Sequence, residues 1–435
     1  MIKEARECYD SLSAFRRKRN RCRDYTFGRQ WNDPVFVNGV LRREYDYIMS
    51  EGNIPLKNNL IRRIVRNVIG VFRSRLPDIM REEYGEDPLS AVAEENSLVE
   101  LFSRSMEEFL ISGMVVHRKR LMTRDGDPSV TTEIVSPDCF FFNTDSRDPR
   151  GGDINIVGQI HQVEFNDWCR AFVKTRDDYR RANKLFGSTL RKLKVTEMWR
   201  RELRPRYMVH DRRAGYIFKC SEEEILSEVD PAMPRKWVME EVWRYYFLSE
   251  EGNVILSGDS PYLHGGHPYV MKCYPYLDGE IQSFVGDMID QQRYTNRLIT
   301  LYDWVIRASA KGVLLIPESA VDPNNYQDVA DQWGRFNGVI VYKAKVGDPE
   351  PKQVSGNMSN LGISELLEIQ LKMMEDVSGV NGILQGNTSG SNVSGALYDS
   401  QTTNALYSLS DLMETYRAFI RDSALKDKLL LQQMQ

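Results

Sequence analysis

Motifs that carry chemistry are scarce in this chain of 435 residues. There is no G-x-x-x-x-G-K-[ST], so no loop of backbone amides stands ready to cradle nucleotide phosphates. There is no G-x-S-x-G nucleophile elbow, no H-E-x-x-H and no EF-hand loop. Six cysteines, Cys8, Cys22, Cys139, Cys169, Cys220 and Cys273, never fall closer than fourteen residues, which excludes C-x-x-C metal or redox motifs. Free thiols in a reducing compartment are the expectation. Only five histidines are present, so His-based acid–base chemistry has few candidates. The one close pair, His264 and His267, is separated by two glycines, which marks a turn rather than a helical ligand pair. No apolar run approaches the ~18–20 residues that cross a bilayer, so no membrane partner is expected. Met1 to Cys8 is charged and lacks the apolar stretch of a secretory signal. No cofactor and no metal are expected, although a site built from scattered Asp and Glu leaves no linear trace.

What is present is an ordinary globular composition, 41% hydrophobic and 28% charged, on a length that calls for two or three structural regions. The formal net charge of −4 excludes a polycationic nucleic-acid binder, but the charge is unevenly spread. Met1 to Arg75 holds 17 Lys+Arg against 8 Asp+Glu, whereas Leu361 to Gln435 holds 5 against 9. Such asymmetry points to two faces or two partners.

Residues 1–24 read as a basic helix carrying Arg16, Arg17, Lys18, Arg19, Arg21 and Arg23. This is either a contact for an acidic partner or a solvated face. A turn-rich stretch follows. Ile61, Ile64, Val65, Val68, Ile69 and Phe72 then give an amphipathic helix from Asn58 to Arg75, with Pro77 near its end. Residues 88–113 give another helix. From Met114 to Cys273 short β-type runs alternate with turns, with one helix near Asn166 to Leu185, so the fold class is α+β. Arg124 to Pro128 marks a reversal between two strands.

A long helix is expected from about Glu280 to Lys311. Ile281, Phe284, Val285, Met288 and Ile289 form one apolar patch; Leu298, Leu301, Tyr302, Val305 and Ile306 form a second. About 30 helical residues span roughly 45 Å, long for a core helix, so a strut, or a helix packed against copies of itself, is expected. A compact excursion follows: a strand at Val313 to Pro317, a short helix at Tyr326 to Trp333 and a second strand at Gly338 to Tyr342. Helix resumes over Ser364 to Ser378. Residues 379–395 then form a loop of seventeen residues with five glycines and three asparagines. A last long helix runs from Ala396 towards Gln435.

This order of parts resembles the portal proteins of tailed bacteriophages, especially the short-tailed phages of the Salmonella type. Several local elements carry the resemblance: Tyr25 to Trp31 (aromatic-Gly-x-Gln-Trp), Asn59 to Gly70, Ser136-Pro137 with Phe140 to Asp145 and then Asp148, Asp287 to Asn296 (D-x-Q-x-x-x-N), and Val377 to Gln401. Together they span about 25–435. The resemblance implies a portal fold: an α+β wing (1–279), a first stem helix (280–312), a clip (313–360), a second stem helix (361–378), a channel loop (379–395) and a long wing helix (396–435). In relatives that last helix leads to a crown, expected here to be absent or very short.

The resemblance further implies a ring, typically of twelve subunits, around double-stranded DNA at the capsid vertex. The implied partners are the large terminase, a head–tail adaptor, and the major capsid and scaffold proteins. Within that reading Gln385, Asn387, Thr388, Ser389, Ser391 and Asn392 face DNA, or the loop is a plain mobile linker that faces no ligand. Trp333, Phe336 and Tyr342 anchor clip partners or fill the clip's own core. Phe284, Met288, Leu298, Tyr302 and Val305 pack the stem. No catalytic residue is expected. The rival readings are a metal-dependent DNA-processing enzyme and a capsid or scaffold protein without a channel.

Overall fold

The computed structural model describes residues 1–124, 127–143, 145–187, 191–211, 215–220, 233–311, 313–317, 321, 323–334, 340, 347, 352–354, 362–380 and 406–433. Among them are twelve α-helices and several antiparallel sheets, a mixed α+β architecture. Two compact units divide the chain. The first comprises Met1–Phe27, Ile61–Asp287 and Ser378–Gln435; the second comprises Gly28–Leu60 and Met288–Val377.

The basic N-terminal segment forms two helices, α1 (Ile2–Ser11) and α2 (Ser13–Thr26). Its cluster divides by environment. Arg17, Lys18 and Arg21 are exposed, whereas Arg19 is buried and bonds Glu108 and Asp138. The turn-rich stretch contains a hairpin, β1 (Pro34–Val37) with β2 (Val40–Arg43), and then α3 (Glu44–Ser50). Asn38 and Gly39, with φ of 51° and 77°, make the hairpin turn. Asn-Gly is favoured there because both central residues need positive φ.

Helix α4 (Leu60–Tyr84) passes through Pro77, where the sequence reading ended it. The apolar stripe explains the difference, because Leu76, Met80 and Tyr84 are buried beyond the expected stop. Burying each contributes about 1.5–3 kcal/mol, together more than the ~3 kcal/mol cost of an interior proline. The next expected helix is two, α5 (Leu89–Glu95) and α6 (Leu98–Ser112), separated where Ser97 takes φ 49°.

Strands β3 (Met114–Arg124) and β4 (Asp127–Ile134) pair with Arg124 opposite Asp127, as the expected reversal requires. β5 (Phe140–Phe142) and β6 (Ile156–Val163) precede two helices, α7 (Phe165–Phe172) and α8 (Arg176–Phe186), where one was expected. β7 (Leu193–Asp211), β8 (Tyr216–Cys220), β9 (Arg235–Ser249) and β10 (Val254–Asp259) complete a six-stranded sheet in the order β10-β9-β7-β6-β5, with β8 also on β7. The two runs expected at Val195 and Tyr207 are one strand, because β9 pairs it continuously from Val195↔Ser249 to Val209↔Arg235. β11 (Tyr269–Cys273) joins β3 and β4 in a second sheet. Phe15, Phe140, Trp199 and Tyr269 belong to one core cluster of this unit.

A small hairpin, β12 (Tyr276–Leu277) and β13 (Glu280–Ile281), replaces the first part of the expected long helix. Its turn is Asp278-Gly279, at φ 51° and 84°. The turn chemistry overrides the helical spacing of Ile281, Phe284 and Val285. A single 3₁₀ turn over Gly286–Met288 leads into helix α9 (Ile289–Lys311). In the second unit β14 (Val313–Leu315) pairs with β15 (Lys352–Val354), and α10 (Tyr326–Gly334) lies between them in sequence. The second strand expected at Gly338 to Tyr342 lies outside the described residues apart from Ile340. Helix α11 (Ile363–Ser378) matches expectation, and the final helix α12 runs Ser410–Gln432.

Candidate functional site

The polar block of the long helix is buried at its root. Gln292 and Asn296 are 0% and 1% exposed, and Gln30, brought in from the segment before β1, is 1% exposed. Buried carboxamides are costly unless every donor and acceptor is used. Here they close a network. Asn296 Nδ2 donates to Gln30 Oε1 at 2.7 Å, and Gln30 Nε2 donates to Asn59 Oδ1 at 3.0 Å. Gln292 Nε2 donates to Asn58 O at 2.6 Å and Asn296 Oδ1 at 3.0 Å. The Asn58 and Leu60 amides donate back to Asn296 Oδ1 and Gln292 Oε1. One turn further, Thr300 Oγ1 accepts from the Leu56 amide while Leu56 O accepts from Trp31 Nε1, both at 3.1 Å. Three short elements distant in sequence, Gln30-Trp31, Asn58-Asn59 and Gln292 to Asn296, thereby meet at one place.

A charged clamp lies beside this network. Glu44, the first residue of α3, is buried and accepts from two arginines of α9. Arg293 reaches Oε2 through Nε at 3.1 Å and Nη2 at 2.9 Å, and Arg297 Nε reaches Oε1 at 2.8 Å. Two guanidinium forks on one carboxylate give both energy and fixed geometry. They hold α3 to the second and third turns of α9.

Beyond the clamp α9 is apolar on two sides. Leu298 and Val305 are buried against Ile363 and Leu367 of α11, so the two long helices of this unit pack together. Tyr302, the other stem residue expected on this helix, is exposed within the subunit, as are Leu301, Trp304 and Ile306. A cleft of about 710 Å³ opens between the hairpin and α9, lined by Trp31, Phe36, Ile48, Leu301 and Trp304 among others. Phe36 and Leu41 of the hairpin are 79% and 58% exposed. Met288 is buried just before α9. Phe284 is half-buried in the first unit, off the helix on which it was expected. Trp333 is half-buried on α10. Phe336 and Tyr342, and the loop residues Gln385, Asn387, Thr388, Ser389, Ser391 and Asn392, lie outside the described residues.

The first unit holds a second polar centre that no linear pattern marks. Lys119 of β3 and Asp427 of α12 form a fully buried ion pair at 2.7 Å. Thr132 Oγ1 accepts from Lys119 at 2.8 Å, and Tyr84 Oη donates to Asp427 at 2.8 Å. Burial pushes the Asp427 carboxyl up and the Lys119 ammonium down, and their mutual attraction opposes both. Lys426, next along α12, donates to the carbonyls of His267 and Tyr269. Burial, then repulsion from Lys119, lowers it to about 7. Little in the sequence signals it, because Lys119 stands between Arg118 and Arg120 in its strand. Pairing it with a residue 308 positions away needs the fold.

His264 and His267 sit in the expected turn, and each uses Nδ1 to accept a backbone amide, from Gly266 and Tyr269. Among the described residues no group of three or more His, Cys, Asp or Glu can hold a metal ion, and no helix is long and apolar enough to cross a membrane.

A long helix is thus anchored at its root by a polar network, with apolar side chains exposed along its flank. The chain matches the family described as Phage P22-like portal protein over residues 2–426, and it belongs to that family. No curated protein matches the chain. Family membership makes it a structural, non-enzymatic protein of the phage virion, located at the capsid vertex. There it serves genome packaging as a portal for DNA, in an oligomeric ring. The DNA-processing enzyme and the channel-free structural protein are thereby set aside.

Proposed function

We propose that α9 and α11 are the stem of a closed ring, typically of twelve copies, whose axis carries double-stranded DNA. The portal fold then runs as wing (1–279), first stem segment (280–312, helical from Ile289), clip (313–360), second stem helix (361–378), channel loop (379–395) and long wing helix (396–435). The clip, with Trp333, Phe336 and Tyr342, docks the large terminase during packaging and the head–tail adaptor afterwards. The wing meets the major capsid and scaffold proteins. The loop faces the duplex with neutral polar side chains, Gln385, Asn387, Thr388, Ser389, Ser391 and Asn392. Dense Lys and Arg there would bind phosphates tightly through counterion release and stall movement.

The observation that carries this reading is the two-sided α9. Leu298 and Val305 are used within the subunit, while at 100° per residue Leu301 and Trp304 remain exposed on one flank of that buried stripe and Tyr302 and Ile306 on the other. Exposed apolar side chains grouped along one element mark an interaction face. In a ring one flank of each copy meets a different surface of its neighbour, a heterologous contact that closes by rotation. Negative-stain imaging with native mass spectrometry tests it. Rings with a hole admitting a duplex are expected; a monomer at every salt concentration counts against the ring.

A further inference from the structure

The longest acid-free basic stretch of the chain lies outside every part just assigned to DNA. From Gly52 to Pro77 there is no Asp or Glu, and the stretch holds Lys57, Arg62, Arg63, Arg66, Arg73 and Arg75. Five of these lie on α4. At 100° per residue, Arg62, Arg66 and Arg73 fall within one narrow stripe of that helix, separated along its axis by about 6 Å and about 10 Å. The stripe borders a groove of about 290 Å³ whose opposite wall is α6, with Ser103 and Arg104.

The charges in this groove do not balance. Glu107 pairs with Arg62, and Glu100 pairs with Arg104 at 3.4 Å. Arg66 and Arg73 are exposed and have no ion pair or hydrogen bond among the described residues. Two cations are thus left over on the same helix face as Arg62, held close together by the helix backbone. Ile69 is the one apolar residue lining the groove. A protein partner docks through buried aromatic or aliphatic anchors, and this groove has no pocket for one. It fits an extended anion with little apolar surface. Guanidinium groups bind phosphate through paired N–H donors, and a span of about 16 Å covers several phosphates at 3.4 Å per strand step.

We propose that the groove between α4 and α6 is a second DNA contact, in which Arg66 and Arg73 bind backbone phosphates without regard to sequence. The portal reading supplies DNA as the polyanion; the groove itself stands on the arginine geometry. Binding of a short blunt duplex, followed by fluorescence anisotropy across a KCl series, tests it. Arg66→Gln/Arg73→Gln is expected to weaken binding about tenfold at low salt. The slope of log K against log [KCl] should flatten by about two, because each lost phosphate contact contributes about 0.9. Arg75→Gln, on the opposite side of α4, is expected to keep nearly the parent affinity.

Imaging of the same samples separates this proposal from the ring. Intact variant rings with parental affinity and slope overturn the groove and leave the ring standing. A variant that no longer assembles overturns it by making the groove a subunit contact. Unchanged DNA binding with lost affinity for a polyglutamate peptide overturns it in favour of an acidic protein. A parent that stays monomeric, yet loses DNA affinity in the double variant, supports the groove while removing the ring.

Discussion

Asn296 shows how much one side chain can specify. Its amide nitrogen serves Gln30, and its oxygen serves both Gln292 and the Asn58 backbone. Asn296→Ala strands several buried polar groups at about 1–3 kcal/mol each. A loss of about 2–4 kcal/mol in urea unfolding is expected, and a loss below about 0.5 kcal/mol contradicts a closed network. Lys426 makes a prediction of a different kind. Folded, it releases its proton near 7; unfolded, it holds it to about 10.4. Between those values the unfolded chain binds the extra proton, so stability rises with pH. Lys119, His264, His267, Asp422 and Asp427 surround it or act on it, and Lys119 is shifted in the same direction. The melting temperature is expected to climb from pH 7 to 9, and Lys426→Met should remove most of that climb. An equal climb in both proteins assigns the effect elsewhere.

Among the elements, α4 and α9 show where spacing reads correctly and where it misleads. The stripe Ile61, Ile64, Val65, Val68 and Phe72 is buried as its periodicity requires, and the same period carries α4 through Pro77. Pro77 is exposed and supplies no amide to the helix. Pro77→Ala is expected to raise stability by about 1–2 kcal/mol, less than the full ~3 kcal/mol of propensity because alanine also frees the unfolded chain. A lower denaturation midpoint would show that the helix depends on the proline's restricted backbone. At α9 the opposite error arises. Ile281, Phe284 and Val285 have helical spacing, yet Asp278-Gly279 closes a hairpin ahead of them. Asn38-Gly39 closes another, within a stretch legible only as turn-rich. In both, two-residue turn chemistry was the available signal.

For the whole molecule, the proposed ring would give the exposed apolar residues of the second unit partners in a neighbouring copy. Phe36 and Leu41 have little to hold them within the subunit. Exposed substitutions usually change stability by less than about 0.5 kcal/mol, whereas each apolar side chain buried in a contact contributes about 1.5–3 kcal/mol. Phe36→Ser/Leu41→Ser should therefore leave the unfolding midpoint of the subunit unchanged and lower the fraction of rings in native mass spectra. Rings at the parental level would place the hairpin off the subunit contact.

Much of this protein is already determined by local order along the chain. Period and turn chemistry mark most of the helices and strands. The succession of body, long helix, insert, helix and glycine-rich loop carries the family, because each part depends on neighbours a few residues away. The tertiary structure alone decided which distant polar residues meet. Gln30, Asn59, Gln292 and Asn296 are unremarkable one by one, as are Lys119 and Asp427. Their burial is tolerable only because the fold supplies each with partners from segments hundreds of residues apart, and no spacing rule encodes such a meeting. The same holds for charge. The arginines of α4 are plain in the sequence, but which of them lack a glutamate was settled by the packing of α6 beside them.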